Sequence, residues 1–558
     1  MTKFFNNSIN LTKKNIEKYQ FILGALILMF SIIFSYNYIH YGLDFTDSFF
    51  YINSIKDAKN FPLWIGTTAI GKFTAYSIGS DLIHFRFVNW ISYILAAVLP
   101  FFTLIPLARL KNNLHVLAIT IFCLNLLSFN VFGIDGLSIL FVSINSIFIL
   151  RYFKNRQFTD LLFTSLFSAI VVAVRLPSIL IVPIFIVLNG VNIYFKRPDK
   201  TFSLVFLKSS FLYIILTIVI LTFFYLLTFQ RLNFIDDIVK SFKTSSNQSY
   251  SLNEIFRNYL IGFIKLIEYI GFVFTILALS NFSYYKVLGK FRYAIQIGVL
   301  AIVLIYLKYA LYIDSYLFKP SHFISAISIV TICYIILSDI KKHNTSNISD
   351  LLFISLVSLT LIFGTNTGLL KLAPIILIFA SLYFVIYEIK LSSFNKVLVC
   401  IITLFMILLK PISIYEDGPR KTLTARSSIS KLSDIYTSPQ RVNFLNDVMK
   451  NYNLSLHNNN NNNNNIVFWG RRSHIFHYIT STSTNYKNSF WMLPDDSLEI
   501  KKAKKMIEIS RPIIFFTPSY PDSENENKNT QLLPFEIMIL SLNYKEESRR
   551  YYKIFKPL

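Results

Sequence analysis

The sequence predicts an α-helical polytopic membrane protein, with about thirteen transmembrane helices and a C-terminal α/β domain outside the cytoplasm. Three observations predict it. Of 558 residues, 54% are hydrophobic, and the mean hydropathy is +0.50, more apolar than a water-soluble chain. Apolar runs suited to a hydrocarbon layer of about 30 Å recur along most of the chain. Basic residues gather in alternate connections between those runs, the pattern that orients membrane helices.

The first segment, "MTKFFNNSINLTKKNIEKYQ" (1–20), is polar and reads as a cytoplasmic tail. No small-residue cleavage site follows the first apolar run, so that run is expected to be a retained helix. Span cores are expected at 21–38, 87–107, 114–131, 137–150, 161–174, 178–195, 211–229, 259–279, 294–312, 323–337, 351–363, 374–387 and 397–409. Under this count the basic segments share one side: Lys13, Lys14 and Lys18; Arg109 and Lys111; Arg151, Lys154 and Arg156; Lys196, Arg197 and Lys200; Lys286, Lys290 and Arg292; Lys341 and Lys342; Lys390 and Lys396. The N-terminus is then cytoplasmic, and 413–558 lies outside. The membrane module is 21–412, with external loops at 39–86 and 230–258.

Residues 413–558 change character. "IVFWG", "NSFWML" and "PIIFFTP" read as short strands. "SLEIKKAKKMIEIS" reads as an amphipathic helix with Leu498, Ala503 and Ile507 on its apolar face. Strand–helix–strand order predicts a small α/β domain. The asparagine run 458–465 reads as a loop.

The net charge of +24 would suit nucleic acid in a soluble protein. Here the charge sits in loops beside the membrane, where it meets anionic lipid, and no basic–aromatic nucleic-acid module is present. Cys123, Cys333 and Cys400 fall in apolar runs and form neither a disulfide framework nor a metal pattern.

The first external loop, "YGLDFTDSFFYINSIKDAKNFP", sets Asp44 and Asp47 just past the first span. Thr46 suits a helix N-cap, and Asp47, Tyr51 and Ser54 share one face of the helix that follows. Phe49, Phe50 and Ile52 point elsewhere and are expected to rest in the membrane interface. An aspartate in a first helical turn either complements the helix dipole or does chemistry; spacing alone leaves both open.

The loop resembles that of the GT-C integral-membrane glycosyltransferases, which take a sugar from a polyprenyl-phosphate carrier. "DFTDSFFYI" is similar to their aspartate–x–x–x–tyrosine motif, with Asp47 and Tyr51 in the matching places. "TTAIGKFTAYSIGSDLIHFRFVNW" resembles the family's approach to the second span, with Lys72 near a phosphate-facing position. "FGIDGLSIL" puts Asp135 where a second acid is often kept, and "VRLPS" and "FGTNTGLLKLAPI" resemble later segments. Ser48 departs from the family, many of whose members carry a second acid there. The span count and the external domain match the mannosyl and aminoarabinose transferase branches. The resemblance implies a multi-pass protein of a bacterial plasma (inner) membrane, and a transfer that inverts the anomeric centre.

Such a reaction expels a phosphate anion, which needs positive charge or donors where charge develops. Lys72, Arg175 and Lys371 are the candidates, with Tyr51 beside them. The acceptor hydroxyl or amine, on a glycan, lipid or protein, needs a base within hydrogen-bond reach, and Asp47 fits that role. Asp135 would orient the acceptor or bind a divalent metal, Mg or Mn; dependence on a metal stays open. Each residue has a plainer reading. Lys72 can be a loop lysine, Arg175 can snorkel or pair structurally, and Lys371 follows the turn-like "GTNTG". His322, the Lys265/Glu268 pair and Arg471, Arg472 and His474 read as structural or solvated. Two rival functions are a flippase or transporter of lipid-linked sugars, and a polysaccharide polymerase or ligase. A transporter more often carries broken helices and charges at mid-membrane. Here the acids cluster at span ends on the side of the soluble domain.

Overall fold

The computed structural model describes residues 21–45, 47–56, 65–127, 133–196, 202–229, 252–282, 291–312, 320–341, 356–357, 361, 371–388, 398, 401–402, 417–458, 466–470, 473–482, 497–517 and 533–558. The first helix, α1, is Phe21–Tyr38. The loop after it holds α2 (Asp47–Lys56) and α3 (Ile65–Ser77). The bundle continues through α4 (Leu82–Leu104), α5 (Leu107–Asn112), α6 (Leu114–Leu127), α7 (Ile134–Asn155) and α8 (Phe158–Val174), then α9 (Ile181–Lys196) and α10 (Phe202–Phe229). It ends with α11 (Leu252–Phe282), α12 (Phe291–Tyr312), α13 (Pro320–Lys341) and α14 (Ala373–Ile386).

Among the described residues six helices are long and apolar enough to cross a membrane, and α6, α8, α12, α13 and α14 contain shorter apolar stretches. Leu204, Leu207, Phe211, Val219 and Phe223 of α10 and Phe256 and Phe263 of α11 stay exposed. An apolar stripe of that extent suits lipid rather than water. The expected spans at 351–363 and 397–409 lie mostly outside the described residues. The second span starts at Leu82, earlier than its apolar core suggests, because polar Arg86 and Asn89 are themselves buried. The end of the loop expected at 230–258 is already helical from Leu252; 230–251 lies outside the described residues. Pro177 fixes where α8 stops. Arg175 is extended (φ −150°, ψ 102°), and Pro177 sits in the first turn of a 3-10 helix over Leu176–Leu180, where its missing N–H costs no hydrogen bond.

The C-terminal region holds β1 (Ala425–Arg426), β2 (Tyr436–Thr437), α15 (Pro439–Asn458), β3 (Ile466–Gly470), α16 (His474–Thr480), α17 (Ser497–Ser510), β4 (Ile513–Thr517), α18 (Pro534–Leu540), β5 (Tyr544–Ser548) and β6 (Lys553–Pro557). The four-stranded sheet has the order β3-β4-β6-β5, with β3 and β4 parallel and the other pairs antiparallel. "IVFWG" and "IIFFT" are buried at every position, because both sheet faces are covered. Ile466, Phe468, Ile513 and Phe515 face one core, while Val467, Trp469, Ile514 and Phe516 face another with Ala503 and Ile507 of α17. "NSFWML" and 459–465 lie outside what is described, as does the side chain of Leu498. The β5–β6 hairpin carries no apolar run, so the sequence reading passed over it. Its outer strand, β5, is charged with Lys545, Glu546 and Glu547, a usual protection for a sheet edge; Lys553 of the inner strand β6 bonds Glu546 (3.2 Å) and Glu536 of α18 (3.0 Å).

One core joins the two regions. Phe45, Phe49 and Ile52 pack with Leu82 and Phe85 of α4 and with Phe444, Phe468 and Phe476 of the C-terminal region. This corrects the expectation that Phe49 and Ile52 rest in the membrane interface. Both are buried, and the Phe49 ring lies 5.2 Å from that of Tyr478. The side chain of Phe50 is outside the described set. The helix that does present aromatic side chains outward is α3, whose Tyr76 is 94% exposed beside Phe73.

Candidate functional site

The geometry is built where α2 meets the start of α7. The Tyr51 ring lies close against Gly133: a Cβ added there would stand 2.6 Å from Tyr51 Cδ2. Any side chain at 133 would push α2 away, so the glycine permits the approach. Two residues on, Asp135 occupies the first turn of α7. The first loop and the connection between the third and fourth spans therefore meet. Asp47 begins α2, one turn before Tyr51; its side chain lies outside the described set.

Asp135 and Lys371 form an ion pair, with Nζ 2.7 Å from Oδ1. Their side chains are 39% and 23% exposed. An ion pair this open contributes about 1 kcal/mol or less to stability, so folding gives little reason for it, and both groups remain reachable. Arg175 lies close enough to Asp135, Tyr51 and Tyr259 to interact with them electrostatically. It is 2% exposed, and its Nη1 donates to the Leu361 carbonyl at 2.6 Å. Tyr93 on α4 also feels the Asp135 charge. Four of the six singled-out residues, Tyr51, Asp135, Arg175 and Lys371, are thus gathered from α2, α7, the end of α8 and the start of α14. Lys72 stands apart, on the exposed face of α3 next to Phe73 and Tyr76. "GTNTG" lies outside the described residues.

No group of three or more His, Cys, Asp or Glu side chains among the described residues is placed to hold a metal ion. Asp135 already has an oxygen on a lysine ammonium, which disfavours a cation beside it.

The sequence reading missed what holds α2 in place. Arg86 of α4 is buried and donates through Nη1 to the carbonyls of Ile39 (3.0 Å) and Tyr41 (3.4 Å), and through Nη2 to Gly42 (2.7 Å). Residues 40–42 pair with β2: Gly42 N–H donates to the Tyr436 carbonyl (2.9 Å), and Tyr436 N–H to that of His40 (2.7 Å). Gly42 turns there with φ 79°, a left-handed conformation that favours glycine. Arg420 covers the Tyr41 ring at 4.3 Å. Asn53 of α2 donates to the His474 carbonyl at 2.8 Å. Asp44, one of the two aspartates that mark the loop, is buried. A buried arginine at the start of a span was a legible signal, since such a charge must find partners; the partner carbonyls had no signal.

At the opposite end of the bundle, about 30 Å along α7, Arg151 bonds Asp160 at 3.2 Å, and Arg156 donates to Asn189 (2.6 Å) and to Asn192. No protein-family model matches the sequence, and no curated protein matches it significantly.

Proposed function

We propose that this chain is a membrane glycosyltransferase of GT-C type, moving a sugar from a polyprenyl-phosphate carrier to an acceptor hydroxyl or amine, with inversion. The observation that carries the reading is the half-open Asp135–Lys371 pair with Tyr51 against its helix and Arg175 within electrostatic range. A carboxylate, two cations and a phenol converge at the end of the apolar helices, beside the soluble domain. In this reading the domain and the site face away from the cytoplasm at the plasma membrane, and Arg109, Arg151 and Arg156 mark the cytoplasmic end. The motifs that resemble the family supply the reaction class.

In the proposed mechanism Asp47 accepts the acceptor's proton as the nucleophile attacks the anomeric carbon. Lys371 shifts from Asp135 to the departing phosphate, or shares itself between them, and stabilises the charge that forms there. Asp135 keeps that ammonium aimed before the donor arrives. Lys72, on the outward face of α3, meets the carrier's phosphate as it approaches through the headgroup layer. A flippase reading draws on the buried polar row inside the bundle, where Asn145 and Tyr213 both donate to Ser168 (3.0 and 2.8 Å). Such pairs also serve as ordinary interhelical contacts.

The test is transfer of radiolabelled sugar from synthetic polyprenyl-phosphate donors to envelope extracts by purified protein in liposomes. Product that forms with wild type and is lost with Lys371→Ala supports the reading. Donor that crosses the bilayer with no product favours the flippase.

A further inference from the structure

The stretch before α2 is held by α4 and the C-terminal region together with unusual completeness. Each carbonyl from Ile39 to Leu43 accepts a hydrogen bond: three from Arg86, one from Tyr436 N–H and one, at Leu43, from Arg441 Nη1. The N–H of Leu43 donates to Asp417 Oδ2 at 3.0 Å, and Thr437 Oγ1 donates to the same oxygen. Both main-chain groups of Leu43 are therefore held by side chains far along the chain. Arg441 also lies over the Phe45 ring at 5.0 Å. Burial pushes the Asp417 carboxyl up, while Arg441 and the Leu43 and Thr437 donors pull it down. Leu43 is 1% exposed, so a lost partner leaves a buried main-chain group unsatisfied.

We propose that Asp417 and Arg441 are positioning residues for the site: by fixing both main-chain groups of Leu43 they set where α2 starts, and so where Asp47 and Tyr51 stand against Asp135. The proposal rests on the catalytic reading given above. Domain glue alone would need only the shared aromatic core. Two charged groups converging on one residue, four positions before Asp47, fix direction and register as well. A displacement of about 1 Å at a reacting group costs on the order of 100-fold in rate, so a modest slip of α2 is readable.

The experiment uses the whole purified protein in liposomes with p-azidophenylalanine in place of Tyr51. Photo-cross-linking to 133–136 is quantified by mass spectrometry in otherwise wild-type protein and in Arg441→Ala, Asp417→Ala, Asp417→Asn and, as control, Lys556→Ala. Sugar transfer is measured in parallel with Tyr51 intact. The cross-link is expected to fall at least about 10-fold in both alanine variants, with kcat down about 10- to 100-fold and donor KM within about threefold. Asp417→Asn keeps an acceptor for Leu43 N–H and is expected to restore both. Lys556→Ala is expected to change neither. A cross-link that holds at wild-type yield in folded alanine variants overturns the proposal, as does a lost cross-link with unchanged kcat. If the alanine variants do not fold, Arg441→Lys decides, because one ammonium cannot both reach the carbonyl and cover the ring; an unchanged cross-link there overturns the proposal too. If wild type transfers no sugar from any donor tried, a falling cross-link still assigns Asp417 and Arg441 to the placement of α2, and only the glycosyltransferase reading falls.

Discussion

Near the C-terminal sheet, Arg86, Arg175 and Arg441 are buried and donate to main-chain carbonyls of distant segments. At the other end of the bundle Arg109, Arg151 and Arg156 are partly exposed and reach mainly side chains: Glu388 (3.0 Å), Asp160 (3.2 Å) and a pair of asparagines. The same guanidinium thus does two jobs. Irregular backbone in a dry place has no helix or sheet to satisfy it, and a fork of five donors can hold several carbonyls at once. Where a guanidinium stays partly exposed, it needs only a loose partner. The difference teaches that one end is built for fixed main-chain geometry and the other for loose side-chain pairing.

Removing one arginine from each kind of place tests that contrast. Arg86→Ala strips three carbonyls, two of them buried, of their donor, at about 1–3 kcal/mol for each that stays dry; a loss of at least about 2 kcal/mol in urea unfolding is expected. A loss under about 1 kcal/mol would break the comparison. Asp47→Asn keeps a helix-start residue but removes the proposed base. Transfer is expected to fall at least about 100-fold with unfolding unchanged, and wild-type rates would move the base to Asp135.

Acid sharpens the contrast through His474, on the helix that packs against α2. Burial and the neighbouring His477 lower its pKa to about 3 from 6.5. The folded state therefore refuses a proton that the unfolded chain takes. This stability is fully present above about pH 6.5 and is lost as pH falls toward about 3, amounting to about 2 kcal/mol by pH 5. Hydrogen exchange at pH 5 is expected to rise in α2 and α16 and to stay level in α5; equal change at both ends would remove the distinction. The smallest effect is Arg109→Ala. It loses a pair with the exposed Glu388 and one bond to the Ile386 carbonyl (2.7 Å), so about 1 kcal/mol or less is expected, measured by the same unfolding assay.

The helical part was legible wherever apolarity was the signal. The helices α4, α9, α10 and α11 fall on runs visible in the sequence, and β3 and β4 declare themselves because both faces of their sheet are buried. Asp135 and Lys371 were legible as lone charges at span ends, although their 2.7 Å pairing was not. What could not be read is long-range pairing. Nothing in "YGLDF" says that it will lie beside Tyr436, because main-chain hydrogen bonds leave no residue signature. For the same reason Phe49 and Ile52 were assigned to lipid. An apolar helix face looks the same whether lipid or another domain covers it.

The distance between Leu43 and Asp417 also has a consequence in time. They are 374 positions apart, and a ribosome adds about 5–20 residues per second. The first loop therefore emerges tens of seconds before the carboxylate and guanidinium that receive it. During that interval the main-chain groups of Leu43 must be hydrated or held by a chaperone, and the aromatic side chains of α2 lack their cover. A nascent chain stalled inside the later spans would display this unfinished loop, a mark by which quality-control proteases can tell it from a finished molecule.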